Sequence, residues 1–261
     1  MSFIEKLYKK ELFSRHDDNG TVFYFSDRNF PGLKKEPYRF LTKAGHRLTG
    51  YFYSYENPKE GRIVVFDHGM GVGHRAYLKE IEMLARHGYL VYSYDHTGCT
   101  ESEGAGIRGF LGSLADLDAC LTALKKDFPD NKFSVMGHSW GGFSTMNICA
   151  FHPDIAHAVA LSGFTDLHTI QKEVIPCFLL PFRGRLVNIE REANPDYIDA
   201  CALTALESTE ARVLIIHSAD DKTVSSKNSF DRLKKALSDK ENIRFLTVSE
   251  KIITQPIQRK L

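Results

Sequence analysis

Apolar positions from about Arg62 to Ser249 fall into two alternating rhythms. Short runs rich in β-branched and aromatic residues recur at Ile63–Phe66, Leu90–Tyr94, Phe133–Met136, Ala158–Leu161, Val213–His217 and Ile243–Val248. The middle runs are nearly all apolar, which predicts strands covered on both faces. Between the runs, Leu114, Leu117, Leu121, Leu124 and Phe128 step by three or four residues and so fall on one face of a helix. The same spacing recurs at Tyr77, Ile81 and Leu84, and at Phe230, Leu233 and Leu237. Strand and helix in alternation predict a parallel sheet with crossover helices. Ahead of this block, Tyr38–Thr42 and Leu48–Tyr55 flank Ala44-Gly45-His46, as an antiparallel edge hairpin would, so the sheet is mixed. Residues 164–206 break the rhythm. Pro176, Pro181 and Pro195 interrupt apolar pieces such as Cys177–Leu180, and we expect a small cap inserted between two core strands. With no internal repeat and no long linker, residues 1–261 are expected to form a single domain.

Composition narrows the class. Hydrophobic residues at 43% and charged residues at 26% are ordinary for globular chains and exclude disordered or fibrous readings. Thirty-four Lys and Arg against 33 Asp and Glu leave +1, so no general field draws nucleic acid or anionic membrane, and no nucleic-acid partner is expected. The longest apolar stretch, Ile175–Phe182, is eight residues with two prolines. A membrane span needs about 20. Glu5, Lys6, Lys9, Lys10 and Glu11 interrupt any secretory signal at the N-terminus. Five scattered cysteines (Cys99, Cys120, Cys149, Cys177 and Cys201) without a C-x-x-C pair read as buried thiols in a reducing cytoplasm.

The chemistry concentrates in two glycine-rich loops. In Gly137-His138-Ser139-Trp140-Gly141, a strand runs into G-x-S-x-G and then into a helix. A serine on such a strained turn needs neighbours without bulk two positions away on each side, as Gly137 and Gly141 provide. The helix that begins there favours negative charge developing beside Ser139. The bland alternative is a tight turn with an ordinary serine. The second loop, Asp67-His68-Gly69-Met70-Gly71-Val72-Gly73-His74, has two active readings. Its Met70 N–H could pair with the Trp140 N–H to hold an oxyanion. Alternatively, Gly69-Met70-Gly71 could open a dinucleotide site with Asp95 on the ribose, although His74 then stands where the third glycine belongs. A plain flexible loop is the third possibility.

With Tyr94-Asp95-His96-Thr97-Gly98-Cys99-Thr100-Glu101-Ser102 added to these loops, roughly Tyr38 to Ser249 resembles the α/β-hydrolase superfamily. The resemblance is to its serine aminopeptidase and monoacylglycerol lipase-like branch. It implies a mixed, mostly parallel sheet flanked by helices, a serine nucleophile at Ser139, an oxyanion hole from Met70 and Trp140, and no metal or organic cofactor. Asp95 would then be a structural residue bonding backbone. The branch places its acid in a pattern like H-G-x-x-D-x-x-V, and His217-Ser218-Ala219-Asp220-Asp221-Lys222-Thr223-Val224 puts Asp221 there. Asp220 is the neighbouring alternative, and either carboxylate could instead cap the next helix.

The branch also places a histidine after the last strand, to activate the serine. None follows Ser249, and the branch's closing helix is missing as well. His68, His96, His138, His152, His168 and His217 occur earlier, each with an ordinary packing or loop role open to it. The bases that can encode Ile252-Ile253-Thr254-Gln255 also permit His-Asn-Pro in a shifted frame, so we expect a C-terminus truncated by frameshift or early stop. The resemblance implies a serine hydrolase that acts on a small-molecule acyl ester, or secondarily an amide, impaired by the absent base. The alternative is a catalytically inactive binding or scaffold protein on the same fold.

Overall fold

The computed structural model describes residues 3–17, 24–175 and 181–248. Eight strands form one sheet: β1 (Lys34–Leu41), β2 (Arg47–Ser54), β3 (Arg62–Asp67), β4 (Leu90–Tyr94), β5 (Lys132–His138), β6 (His157–Leu161), β7 (Arg212–Ser218) and β8 (Ile243–Val248). Their order is β1-β2-β4-β3-β5-β6-β7-β8. β2 pairs antiparallel with β1 and β4, and every other pairing is parallel. The runs of β-branched and aromatic residues all became strands. β1 begins at Lys34 rather than Tyr38, because Lys34–Pro37 pairs through backbone while its side chains stay mostly in solvent. Such a segment carries no hydrophobic alternation to read.

The helices are α1 (Phe3–Leu12), α2 (Leu78–Arg86), α3 (Gly112–Asp127), α4 (Trp140–Asn147), α5 (Leu167–Val174), α6 (Arg183–Ala193), α7 (Ala202–Ser208) and α8 (Phe230–Leu237). α2 lays Leu78, Ile81 and Ala85 on Tyr53, Phe66 and Val91 on one face of the sheet. The opposite face carries the larger core, where Leu114, Leu117, Leu121 and Leu124 of α3 meet Val65, Val135 and Phe143. β3 lies between these layers and is buried from Ile63 to Asp67, as a strand covered on both sides should be. Coverage thins toward β8. On one face, Val159, Leu161, Leu214 and Ile216 are only half-buried, and Leu246 is exposed.

α5, α6 and α7 lie between β6 and β7, in the stretch expected to form the cap, and α7 continues to Ser208. Residues 176–180 of that stretch, Cys177 among them, lie outside the described residues, as does the tail 249–261 on which the expectation of a truncated C-terminus falls. Cys99, Cys120 and Cys149 are buried free thiols, and Cys201 is a half-buried one. Burial pushes the Cys149 thiol up to about 11. Among the described residues no helix is long and apolar enough to cross a membrane.

The topology fixes where a site can form. From β3 the chain moves outward to β4 and then returns to β5 on β3's other side. Connections therefore diverge above the carboxyl ends of β3 and β5, leaving a crevice there.

Candidate active site

Ser139 sits at that crevice, at the junction of β5 and α4, with φ +54° and ψ −108°. A non-glycine residue in this region is strained and persists only where the surroundings dictate it. They do so by close approach. A Cβ on Gly137 would lie 2.3 Å from the Gly141 carbonyl oxygen, and one on Gly141 would lie 2.1 Å from that of Asp67. The Ser139 N–H donates to the Leu161 carbonyl at 2.8 Å, which ties the turn to the end of β6. The serine is half-buried, and among the described residues its hydroxyl makes no hydrogen bond.

Trp140 is the first residue of α4, so its N–H has no carbonyl in a preceding turn to bond. Its indole fixes the backbone beneath: Nε1–H donates to the Phe110 carbonyl at 2.7 Å, and the ring packs 4.7 Å from the His96 ring. The half-buried Met70 stands at the end of a similarly anchored loop. The Gly69 N–H donates to the Tyr77 hydroxyl at 3.2 Å, and that oxygen lies 2.8 Å from Nδ1 of His138. A Cβ on Gly69 would lie 3.4 Å from the His138 carbonyl oxygen, which places the loop against the residue before Ser139.

His68 holds the same loop from below. Its Nδ1–H donates to the Gly69 carbonyl at 2.8 Å, and Nε2 accepts the His96 N–H at 3.0 Å. Burial, then the neighbouring His96, push its pKa down to about 3, so the ring is neutral. His96 is the opposite case. Its Nε2 lies 3.1 Å from Asp67 and its Nδ1 3.3 Å from Asp116, all fully buried. Burial disfavours its charge, but the two carboxylates outweigh burial and raise its pKa to about 10. Asp67 also accepts the hydroxyls of Tyr94 at 2.8 Å and Ser144 at 2.7 Å, and Asp116 accepts the Thr97 N–H at 2.7 Å. A charged, fully buried ion cluster thus lies directly under Trp140. The sequence signals Asp67 and His96 only as loop residues, and Asp116 only as a polar position on a helix.

Asp95 accepts the His74 N–H at 2.8 Å and the Glu101 N–H at 3.1 Å, with His74 Nδ1 at 2.7 Å and the Thr100 hydroxyl completing its shell. Burial opposes its charge, but His74 and these hydrogen bonds hold it below the usual carboxylate range. With both oxygens engaged and the residue 1% exposed, no edge is left for a ribose, which removes the dinucleotide reading of this loop.

Asp221 lies three residues beyond β7, two strands from β5 on the same carboxyl edge. Its Oδ1 accepts the N–H groups of Thr223 at 2.9 Å and Val224 at 3.0 Å. Its Oδ2 makes no hydrogen bond among the described residues and lies 3.8 Å from His217 Nε2. Asp220 is exposed and accepts the Ser218 hydroxyl. Neither caps α8, whose N-cap is Ser229. The earlier histidines are occupied elsewhere: besides His68, His96 and His138, His74 pairs with Asp95, His152 lies 2.9 Å from Asp118, and His217 donates to the Val224 carbonyl at 2.9 Å. His168 is exposed on α5. Among the described residues no group of three or more His, Cys, Asp or Glu is arranged to hold a metal ion.

The strand order, the crevice and a strained serine at a strand–turn–helix elbow define an α/β-hydrolase. The family described as serine aminopeptidase, S33, matches residues 58–191, about half of the sequence, and the chain belongs to it. A monoglyceride lipase of Rattus norvegicus is 30% identical over 93 residues, 35% of this chain and 31% of that protein. A dipeptidyl aminopeptidase BIII of Pseudoxanthomonas mexicana is 28% identical over 171 residues, 61% of this chain and 25% of that protein. The chain thus aligns with a third or less of the length of these relatives. Among solved structures, an esterase of Pyrococcus furiosus superposes with a TM-score of 0.70 at 17% identity, covering 92% of this chain and 89% of that one. The acylaminoacyl peptidase of Pyrococcus horikoshii superposes with a TM-score of 0.64 at 16% identity, covering 90% and 40%.

Proposed function

We propose that the protein is a serine hydrolase of small carboxylic esters, with amides as the secondary class, acting through an acyl-enzyme on Ser139. The carrying observation is the φ +54° of Ser139, which presents an unbonded hydroxyl at the start of α4. The hydroxyl oxygen attacks the substrate carbonyl carbon as its proton passes to a base. The tetrahedral intermediate breaks its bond to the leaving alcohol, which departs with that proton, and water then hydrolyses the acyl-enzyme to release the acid and restore the Ser139 hydroxyl. The oxyanion that forms is held by the N–H groups of Met70 and Trp140, on backbone that the His68 and Trp140 side chains keep in place. Asp221 is the carboxylate that would orient an imidazolium through its unbonded Oδ2. The cap expected over residues 164–206, of which 164–175 and 181–206 are described, would shape the acyl pocket. Ester, lipid or peptide preference in the named relatives supports this range of substrates without choosing among them.

The second reading is a binding or scaffold protein on the same fold. It is favoured by a specific observation: among the described residues the buried histidines are committed to other partners. Without a base the serine proton has no acceptor, and catalysis falls to what the oxyanion hole and substrate binding provide. Fluorophosphonate labelling and p-nitrophenyl butyrate hydrolysis decide between the two. The hydrolase reading expects slow labelling that vanishes in Ser139→Ala, and acceleration by added imidazole. Absence of labelling in every condition, imidazole included, leaves the binding protein.

A further inference from the structure

Beside the cap stretch, α5 and α8 form the walls of a groove of about 400 Å³. Thr169 and Lys172 of α5 and Lys227, Arg232 and Lys235 from the α8 side line it, and Asp231 is the one carboxylate among its lining residues. Arg232 is partly neutralised by Asp166 at 3.5 Å. Among the described residues, Lys172, Lys227 and Lys235 pair with no carboxylate. In a chain whose net charge is +1, three ammonium groups without a carboxylate partner among the described residues line one concavity and form a local excess of positive charge.

The groove is built rather than incidental. Glu173 of α5 accepts the Ser225 N–H at 3.1 Å and the Asn228 amide at 2.8 Å, and so fastens α5 to the segment that carries Lys227. The Arg232–Asp166 pair fastens α8 to the start of α5. These cross-links hold like charges together that would otherwise separate. A second cavity of about 370 Å³ shares Thr169, Lys172 and Arg232 and is lined further by Arg191 and His168 and by the carboxylates of Asp166 and Asp199. Its size lies within the usual range for small-molecule sites, roughly 300–1,000 Å³. Lysine ammonium groups around a concavity favour a compact, multiply charged anion, because each supplies donors without demanding a planar partner.

We propose that the groove between α5 and α8 binds the phosphate group of a soluble, phosphate-bearing small molecule. None of Ser139, Met70, Trp140 and Asp221 lines the groove, and its occupancy requires no hydrolysis, so it stands or falls independently of the catalytic reading. The probe is inorganic pyrophosphate, titrated calorimetrically into the full chain at low ionic strength. A parallel arm sediments the protein with phosphatidylcholine vesicles, with and without phosphatidic acid. We expect saturable pyrophosphate binding with one site per chain. The triple variant Lys172→Gln/Lys227→Gln/Lys235→Gln weakens it by about tenfold or more. Lys6→Gln/Lys10→Gln/Lys126→Gln, which removes the same charge from exposed positions elsewhere, leaves it unchanged. Absence of pyrophosphate binding, equal loss in both triple variants, or binding confined to acidic vesicles would overturn the proposal. Circular dichroism of each variant verifies that the fold is retained, and all six lysines are exposed.

Discussion

At the residue scale, the strain at Ser139 and the charge on His96 are the two features with measurable consequences. A positive φ costs a residue with a side chain about 1–3 kcal/mol, and glycine is spared that cost. Ser139→Gly should therefore raise stability by on the order of 1 kcal/mol in urea denaturation while abolishing fluorophosphonate labelling, whereas Ser139→Ala abolishes labelling without the gain. His96 is raised from 6.5 to about 10 in the folded chain, so its stabilising charge is fully present below pH 6.5 and is lost as pH rises through 10. Unfolding free energy should fall over that window. His96→Phe should flatten this slope and lower stability near neutrality by roughly 3–5 kcal/mol, since Asp67 and Asp116 would remain buried without their cation. A slope unchanged in His96→Phe would mean that the ring is neutral in the folded state.

Elements act through the close approaches and buried links between them. The elbow requires α4, β3 and β5 to meet with no side chain at Gly137 or Gly141. Gly141→Ala places a methyl against the Asp67 carbonyl, which neither backbone can vacate, and should cost several kcal/mol or prevent folding, read as loss of the cooperative thermal transition. Glu190 of α6 links three segments. It accepts the Tyr8 hydroxyl of α1 at 2.8 Å and the N–H groups of Phe110 at 3.1 Å and Leu111 at 3.4 Å, and the Phe110 carbonyl is itself the anchor of the Trp140 indole. Burial raises its pKa from 4.5 to about 7, so the folded chain binds a proton that the unfolded chain releases. Its contribution is present below pH 4.5 and declines as pH rises through 7. Glu190→Gln should remove that part of the pH dependence, with unfolding followed at pH 5 and pH 8 as the check.

For the whole molecule, the sheet is covered unequally. Val213 and Ile215 of β7 are 3% and 2% exposed, whereas Leu214 and Ile216 on the other side are half-buried. Ile215→Asp should unfold the protein, because an unpaired charge cannot be held in that core. Leu246→Asp on the thinner side should cost less than about 1 kcal/mol. Thermal denaturation of the two variants distinguishes the faces, and equal losses would show that the thinner side is as much core as the other.

How much of this was legible beforehand follows from the range of the interactions concerned. Periodicity and glycine placement are local, so the strands, the α3 and α8 stripes and the Ser139 turn could be read from neighbours along the chain. The likeness to the serine aminopeptidase branch rested on the same short segments, and the family match over residues 58–191 bears it out. α1 and the first residues of β1 were not read, since backbone pairing and a weakly apolar face leave little pattern. Burial, pairing and charge state depend instead on which distant segments meet. Asp67, His96 and Asp116 are separated by up to 49 positions and became one ion cluster only when β3, β4 and α3 packed together. Glu190 and Tyr8, 182 positions apart, met for the same reason. Sequence alone determined the sheet and the elbow, because these are properties of composition and short-range order. Tertiary structure alone decided which histidines are charged, that Asp95 is fully engaged, and that three lysines share one groove, because desolvation and Coulomb interaction act through space.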